Sequence, residues 1–295
     1  MTDALSGLEA PAVSVVIPAY NAAATLGEQL DALTAQAWSG TWEIVVVDNG
    51  STDSTPEIVD QESRTCPRLR IVSATDGTGP SYARNVGARH ARGRSLAFCD
   101  ADDVVAPGWL AAVGDALATN EFVCGPVELR ELNPPWLWES RGTAGTDAAT
   151  WFDDQFPFAS SCNVGINRAR FLEQGGFDES LQVGEDIELS MRLHLQGVRL
   201  DFIADAIVHY RYRPTLWSTF ERAVAYGAAH PTIAELWRAR TGRRVARSKA
   251  FRNWLWLIRH LGLLHTQSGR GRWLWVAGKR LGALRGSLTV RRLYL

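Results

Sequence analysis

Short, mostly apolar runs punctuate the first hundred residues of the chain. VSVVIPA at 13–19, EIVVVD at 43–48, LRIVS at 69–73 and SLAFCD at 95–100 are too short for helices and too apolar for strands with one wet face. Between them lie stretches of helical spacing at 22–37, 56–63 and 81–91, the first with Leu26, Leu30 and Leu33 on one face. The alternation predicts an α/β fold with a doubly wound, mostly parallel sheet, flanked by helices and joined by right-handed crossovers. Ligands of such sheets bind beyond the carboxyl ends of the strands. Polar residues gather there, at 18–21, at Asp48 and at Asp100.

The second half is less regular. A helix is expected at 107–119 and a strand at 122–127. Residues 130–158 are rich in Pro, Trp, Gly and Asp and show little periodicity. A loop of that length is usually a lid or an acceptor site. A strand over 160–168, a helix over 169–174 and the turn GGFDE follow. A helix over 185–196 stops at Gly197, a C-cap signal. RLDFIA and AIVHYRY are expected to close the sheet. Everything past Pro214 reads as helix, with breaks near 241–242 and 268–271. The pattern divides the chain into a catalytic unit over 1–213 and a helical C-terminal extension over 214–295.

Composition narrows the class. Apolar residues make up 46% and charged residues 21% of the 295, which excludes a disordered chain. The four Cys form no CxxC pair, so neither a zinc knuckle nor a disulfide framework is expected. The best membrane candidate, WLWLIRHLGLL at 254–264, is short and broken by Arg259 and His260. The opening residues lack a basic stretch followed by an apolar run. A cytoplasmic protein is expected, at most resting on the inner face of the membrane. Net charge is −1, but from Ala206 onward there are 18 Lys+Arg against 2 Asp+Glu, leaving 13 against 30 before it. Six of the twelve Trp lie in the same basic region.

Four polar features carry candidate chemistry. Asp48, followed by NGSTD, reads equally well as a cap for the next helix or as a ligand contact. Asp100, Asp102 and Asp103 put three carboxylates in four residues, which repel unless a cation or many N–H donors meet them. Oxygen ligands of this kind suit the hard cations that accompany phosphates. An exposed acidic turn is the plainer alternative, and the position at a strand's carboxyl end argues against it. Glu185 and Asp186, at a helix start, satisfy the helix dipole whether or not they do chemistry. His209 alone reads as structural, but Arg211 and Arg213 beside it suit a phosphate-bearing ligand.

VSVVIPAYN, VVVDNGSTD, SYARNVG, FCDADD, GGFDE, GEDIELSMRL and HYRYRP, in that order and spacing, resemble the family 2 glycosyltransferases. The likeness runs from Val13 to Arg213, about two thirds of the chain. It implies a GT-A fold and transfer, with inversion, of a sugar from a nucleotide-activated donor. It also implies roles. Pro18, Ala19 and Tyr20 line the base pocket, Asp48 binds the base edge, and Arg84 contacts the nucleotide. Asp100 and Asp102 form the DxD motif, with Asp102 the main ligand of Mn²⁺ or Mg²⁺. Asp186 is the catalytic base and Glu185 its acidic partner. His209 and Arg213 meet the phosphates from the other side, with His209 a further candidate metal ligand. Gly184 stands where the family often has Thr or a similar residue.

Chemistry points the same way. A leaving nucleoside diphosphate builds negative charge that a divalent ion stabilises. The attacking hydroxyl needs a carboxylate within about 3 Å to take its proton. UDP is the default nucleotide. The acceptor is expected to be a lipid-linked glycan, a polysaccharide or a natural product. A metal-dependent nucleotidyltransferase is the nearest rival, but VIPAYNAAAT has no Gly or Lys with which to hold a triphosphate. A catalytically inactive nucleotide-sugar-binding module is the other. For the basic tail, packing on the acidic catalytic unit competes with seating on an anionic membrane, and with a homodimer interface. Trp254 and Trp256, like Trp273 and Trp275, are two apart and on different helix faces, so one of each pair is expected at lipid. No nucleic acid partner is expected, because recognition-helix and zinc-finger signals are missing.

Overall fold

The computed structural model describes residues 10–142, 145–245 and 248–294. The opening residues, on which the expectation of a missing leader rests, lie outside that set. In chain order the elements are β1 (Val13–Ala19), α1 (Leu26–Thr34), β2 (Trp42–Asp48), α2 (Thr55–Ser63), β3 (Leu69–Ser73) and α3 (Pro80–His90). Next come β4 (Ser95–Cys99), β5 (Val104–Val105), α4 (Trp109–Leu117), β6 (Phe122–Cys124), β7 (Val127–Glu128) and α5 (Pro135–Glu139). The hairpin β8 (Thr150–Phe152) and β9 (Phe156–Phe158) precedes β10 (Asn163–Asn167), α6 (Arg168–Glu173) and α7 (Glu185–Leu195). Two-residue strands β11 (Asp201–Phe202) and β12 (Val208–His209) lead to α8 (Leu216–Thr241), α9 (Ser248–Arg259), a 3-10 turn (Leu261–His265) and α10 (Gln267–Thr289).

The main sheet has the order β11-β6-β10-β4-β1-β2-β3. Strands β4, β1, β2 and β3 are parallel, and β10 runs antiparallel between β4 and β6. Strands β1, β2 and β4 are mostly apolar and buried along nearly their whole length because helices cover both of their faces. One core layer holds Leu26, Leu30 and Leu33 against Val15, Ile17 and Ile44. The other packs Phe98, Phe171 and Phe177 as a cluster of tilted rings. Strand β3 lies at the edge, which is why Ile71 stays exposed.

Two expectations about the later elements are corrected. AIVHYRY does not close the main sheet. Its strand β12 pairs antiparallel with β5 and parallel with β7 in a separate sheet of three. Asn163 holds that departure in place. Its Nδ2 donates to the carbonyls of Pro126 (2.9 Å) and Ala206 (2.7 Å), and its Oδ1 accepts from Trp109 Nε1 (2.9 Å). Nor is there a break at 268–271, which is the first turn of α10. Thr266 Oγ1 caps that turn by accepting from the Gly269 N–H (3.0 Å). The chain interrupts itself earlier, at the 3-10 turn. The predicted break near 241–242 is present, with Gly242 left-handed at the end of α8.

Helices α8 and α10 lie in direct backbone contact. A Cβ on Gly282 would sit 2.1 Å from the Val224 carbonyl oxygen, so only glycine lets the helices approach this closely. The tail is therefore a packed layer of the fold. Trp254, Trp256, Trp273 and Trp275 are all half-buried. Trp273 Nε1 donates to the Leu257 carbonyl (3.0 Å), Trp256 stacks on His260, and Trp275 meets Tyr226 edge-on. Beyond α8, the tail's exposed apolar residues are instead Ile258, Leu261, Leu264, Leu281, Leu288 and Leu293, while on α8 Trp217 and Tyr226 are exposed.

Candidate active site

A cleft of about 980 Å³ opens beyond the carboxyl ends of β1 and β4. Pro18, Ala19 and Tyr20 form one wall, with Tyr20 63% exposed and free to present its ring. Asn21 takes positive φ and exchanges bonds with the following loop, its N–H donating to Ser51 Oγ and its Oδ1 accepting from the Thr52 N–H. Asp100 and Asp102 lie in the floor, and Arg84, Glu185, Asp186 and Arg213 complete the lining. Nine of the eleven residues to which the family resemblance gives roles thus share one cavity.

The other two do not line it. Asp48 ends β2 level with Ala19, and its Oδ1 accepts the Ser51 N–H (3.1 Å), so it caps the turn below the cleft. His209 directs Nδ1 at Glu128 Oε2 (3.0 Å) on the neighbouring strand. It stands apart from the acidic cluster, whose third member is Asp103.

In that cluster, ligand oxygens of Asp100, Asp102 and Asp103 lie within 4.8 Å of one another. Asp103 is buried; one oxygen accepts the Arg211 N–H (2.8 Å) and the other has no hydrogen-bond partner. Desolvation, then the Asp100 charge, raises the carboxyls of both Asp102 and Asp103. An orphaned buried oxygen among mutually repelling carboxylates fits a hard divalent cation with oxygen ligands.

Arg84, only 3% exposed, ties this floor to the acidic pair. It is ion-paired to Asp100 through Nη2 and to Glu185 through Nη1 (3.4 Å). Its positive form is favoured: burial opposes the charge, but Asp100 and Glu185 outweigh burial. Its guanidinium is thus committed to two carboxylates although it borders the cleft.

Glu185 and Asp186 begin α7 because Gly184 adopts φ 89° and turns the chain sharply into the helix. That left-handed geometry explains the glycine where Thr was the familiar residue. Glu185 also accepts from Ser161 Oγ (3.3 Å). Asp186 accepts from the Ile187 N–H (2.8 Å) and, weakly, from the Ser161 N–H (3.4 Å). Desolvation, then the Glu185 charge, pushes the Asp186 carboxyl up to about 7, where a general base works best near neutral pH.

A second cavity, of about 540 Å³, lies between the β8–β9 hairpin and helices α8 and α10. It shares Asp100, Ser161, Asp186, Tyr210, Arg222 and Tyr226 with the first. Asp186 therefore stands in a wall common to both. Arg222 donates to the Tyr210 hydroxyl (3.0 Å) at this junction. Ser161, Tyr210, Arg222 and Tyr226 were not singled out in the sequence. Arg222 and Tyr226, four apart on one face of α8, carried the one readable signal.

Known proteins match this chain in sequence and in fold. The family pattern described as Glycosyl transferase family 2 covers residues 14–173. Succinoglycan biosynthesis protein ExoO of Rhizobium meliloti is 34% identical over 189 residues, which are 60% of this chain and 53% of that protein. Glycosyltransferase AglE of Haloferax volcanii is 30% identical over 212 residues, 69% of this chain and 68% of that protein. The chain thus spans about half of the first and two thirds of the second. Mannosyltransferase PcManGT of Pyrobaculum calidifontis, solved with GDP-Man and Mn²⁺, superposes with TM-score 0.64 at 23% identity, covering 94% of this chain and 87% of that one. Residues 1–349 of S. aureus TarS, solved with UDP-GlcNAc, superpose with TM-score 0.56 at 20% identity, covering 96% and 93%. At these identities the two structures establish the GT-A fold.

Proposed function

The chain belongs to glycosyl transferase family 2, and from that premise we propose that it is an inverting glycosyltransferase acting on a nucleoside-diphosphate sugar. The observation that carries the reading is the position of Asp186 in the wall between two cavities. The larger cavity, with the acidic floor and the Pro18–Tyr20 wall, receives the donor. The smaller one receives the acceptor. UDP is the default nucleotide; the two structural relatives were solved with UDP-GlcNAc and GDP-Man, which supports the donor class and leaves the base open.

In the reaction, the acceptor hydroxyl oxygen attacks the anomeric carbon from the face opposite the diphosphate. The bond from that carbon to the phosphate oxygen breaks, and its electron pair leaves on the diphosphate. The hydroxyl proton passes to Asp186. One base and a single displacement invert the centre. Asp100 and Asp102, with Asp103 behind them, would hold Mn²⁺ or Mg²⁺, which offsets the charge of the departing diphosphate. Arg213 lines the same cleft and adds positive charge for the phosphates. Arg84 and Ser161 hold Glu185 in place beside the base.

Among the described residues, no helix is long and apolar enough to cross a membrane. Ile258, Leu261 and Leu264 are exposed beside Arg252, Arg259 and Arg270, a surface suited to an anionic bilayer. That surface supports a peripheral position on the inner face of the membrane, where lipid-linked acceptors reside. The reading is tested by incubating the full chain with UDP-glucose, UDP-GlcNAc or GDP-mannose and Mn²⁺, then measuring nucleoside diphosphate release. Release from none of the donors, and no nucleotide-dependent thermal stabilisation, would reject it.

A further inference from the structure

The smaller cavity has a charge pattern that sugar transfer alone does not require. Arg141, Lys279 and Arg280 line it, and none of them borders the donor cleft. The Arg141 guanidinium is sandwiched between Tyr212 (4.7 Å) and Trp275 (3.9 Å). Its Nη2 donates to Thr219 Oγ1 (3.3 Å), while Nε and Nη1 are buried with no partner. Arg280 Nε is likewise buried and unpartnered. The Lys279 ammonium rests 4.9 Å from the Trp275 ring. Among the described residues, none of these three cations has a carboxylate at ion-pair distance.

Asp153 attracts Lys279 and Arg280 from a distance, and the acidic groups of the cavity have nearer contacts of their own. Asp153 is bonded to His230 (2.5 Å), Asp100 to Arg84, and Asp186 holds the junction with the donor cleft. Aromatic faces attract the faces of these cations but leave their N–H edges unsatisfied. Buried guanidinium N–H groups call for an acceptor of matching charge, and carboxylate or phosphate fits them best. Burial, then the Arg280 and Arg141 charges, lowers the Lys279 ammonium to about 8, so the cluster gains from any anion that enters. Trp151, 55% exposed, lines the same cavity and provides an apolar face for a sugar ring.

We propose that this cavity binds an acidic acceptor, whose carboxylate or phosphate is held by Arg141 and Lys279 while its hydroxyl lies toward Asp186. The inference rests on the glycosyltransferase reading and adds the acceptor's chemical class to it.

Calorimetry on the full chain with UDP and Mn²⁺ in excess, titrated with glucose, glucuronate and glucose 6-phosphate, tests it. The nucleotide keeps the probes out of the donor cleft. Glucuronate or glucose 6-phosphate should bind at least tenfold more tightly than glucose, and the stronger of the two identifies the anion. Arg141→Gln and Lys279→Met should each bring that probe to the level of glucose while UDP affinity moves less than twofold. If Arg141→Gln folds poorly, Lys279→Met reads the same contact. Equal binding of all three probes, binding of none, or an anion preference that survives both substitutions would overturn the proposal. Failure of both UDP and GDP to bind would count against the donor reading instead, and the anion preference is then read on the nucleotide-free chain.

Discussion

Arg84 holds Asp100 with one guanidinium nitrogen and Glu185 with another, so the metal-side turn and the base-side helix share one buried cation. These two acidic elements are 85 residues apart in sequence, and the arginine on α3 sets their separation. Arg84→Met would leave two crowded carboxylates uncompensated. Removing one partner of such a buried pair costs about 3–5 kcal/mol. A clear fall in Tm, together with weaker donor binding, is expected. Arg84→Lys should recover only part of both, because an ammonium cannot span two carboxylates as a planar fork does. An unchanged Tm for Arg84→Met would refute the linking role.

Asp186→Asn should lower kcat by about 10²-fold or more and leave donor affinity intact, because only proton removal is lost. In the unmodified protein, kcat/KM should rise with pH through about 7 and then level off, as the base becomes ionised. Stability carries the opposite sign. A carboxyl raised from 3.8 to about 7 by folding favours the folded state at low pH, and that contribution is lost as pH rises through 7. Asp186→Asn should therefore have the higher Tm at pH above 8 and no advantage near pH 4. A pH–rate profile flat from 6 to 8 would remove Asp186 from the base role.

Asp102→Ala should abolish the divalent-ion dependence of nucleoside-diphosphate binding, read by calorimetry with and without Mn²⁺. Asp102 is the exposed member of the cluster, so its loss should hardly change Tm. Asp103→Ala should instead destabilise, since it also removes the acceptor of the Arg211 N–H. Equal donor affinity in chelator and in Mn²⁺ would assign charge stabilisation to Arg213 and its neighbours alone.

The α8–α10 contact gives a stability test independent of activity. Gly282→Leu must push the two helices apart, because even a Cβ would overlap the Val224 carbonyl. Overpacking of this sort usually costs about 1–3 kcal/mol. Because α10 carries Lys279 and α8 carries Arg222, acceptor use should suffer before donor binding does. A variant with native Tm would mean that the helices separate freely.

The donor half of the site was legible because its signals are local. Mostly apolar runs mark β1, β2 and β4, and the polar residues at their ends need only the parallel topology to converge. The acceptor half was not, for two reasons. Strand β12 is only two residues long and owes its place to Asn163, a side-chain contact with no periodic trace. Arg141 lies in an aperiodic stretch, and it meets Trp275 only because α10 folds back along α8. A division of the chain at 213 separates Arg222 and Tyr226 from the cavities they line.

That packing also decides how membrane binding should be tested. Removing everything after Thr241 would strip α10 from the acceptor cavity, so loss of activity or folding would say nothing about lipid. Point changes on the exposed face are cleaner. Ile258 is 68% and Leu261 53% exposed, beside Arg252 and Arg259, while Trp254, Trp256, Trp273 and Trp275 are half-buried. Each basic residue near an anionic surface contributes about 1 kcal/mol, an attraction that screening cuts off over ~8 Å at physiological salt. The full chain should therefore sediment with phosphatidylserine-containing vesicles at low salt, far less at ~0.5 M salt, and not with pure phosphatidylcholine. Ile258→Asp with Leu261→Asp should remove the binding and leave nucleoside-diphosphate affinity unchanged, since neither residue lines the donor cleft or the smaller cavity. If the double variant sediments as before, or the unmodified chain never does, the exposed face of the tail has another role than lipid contact.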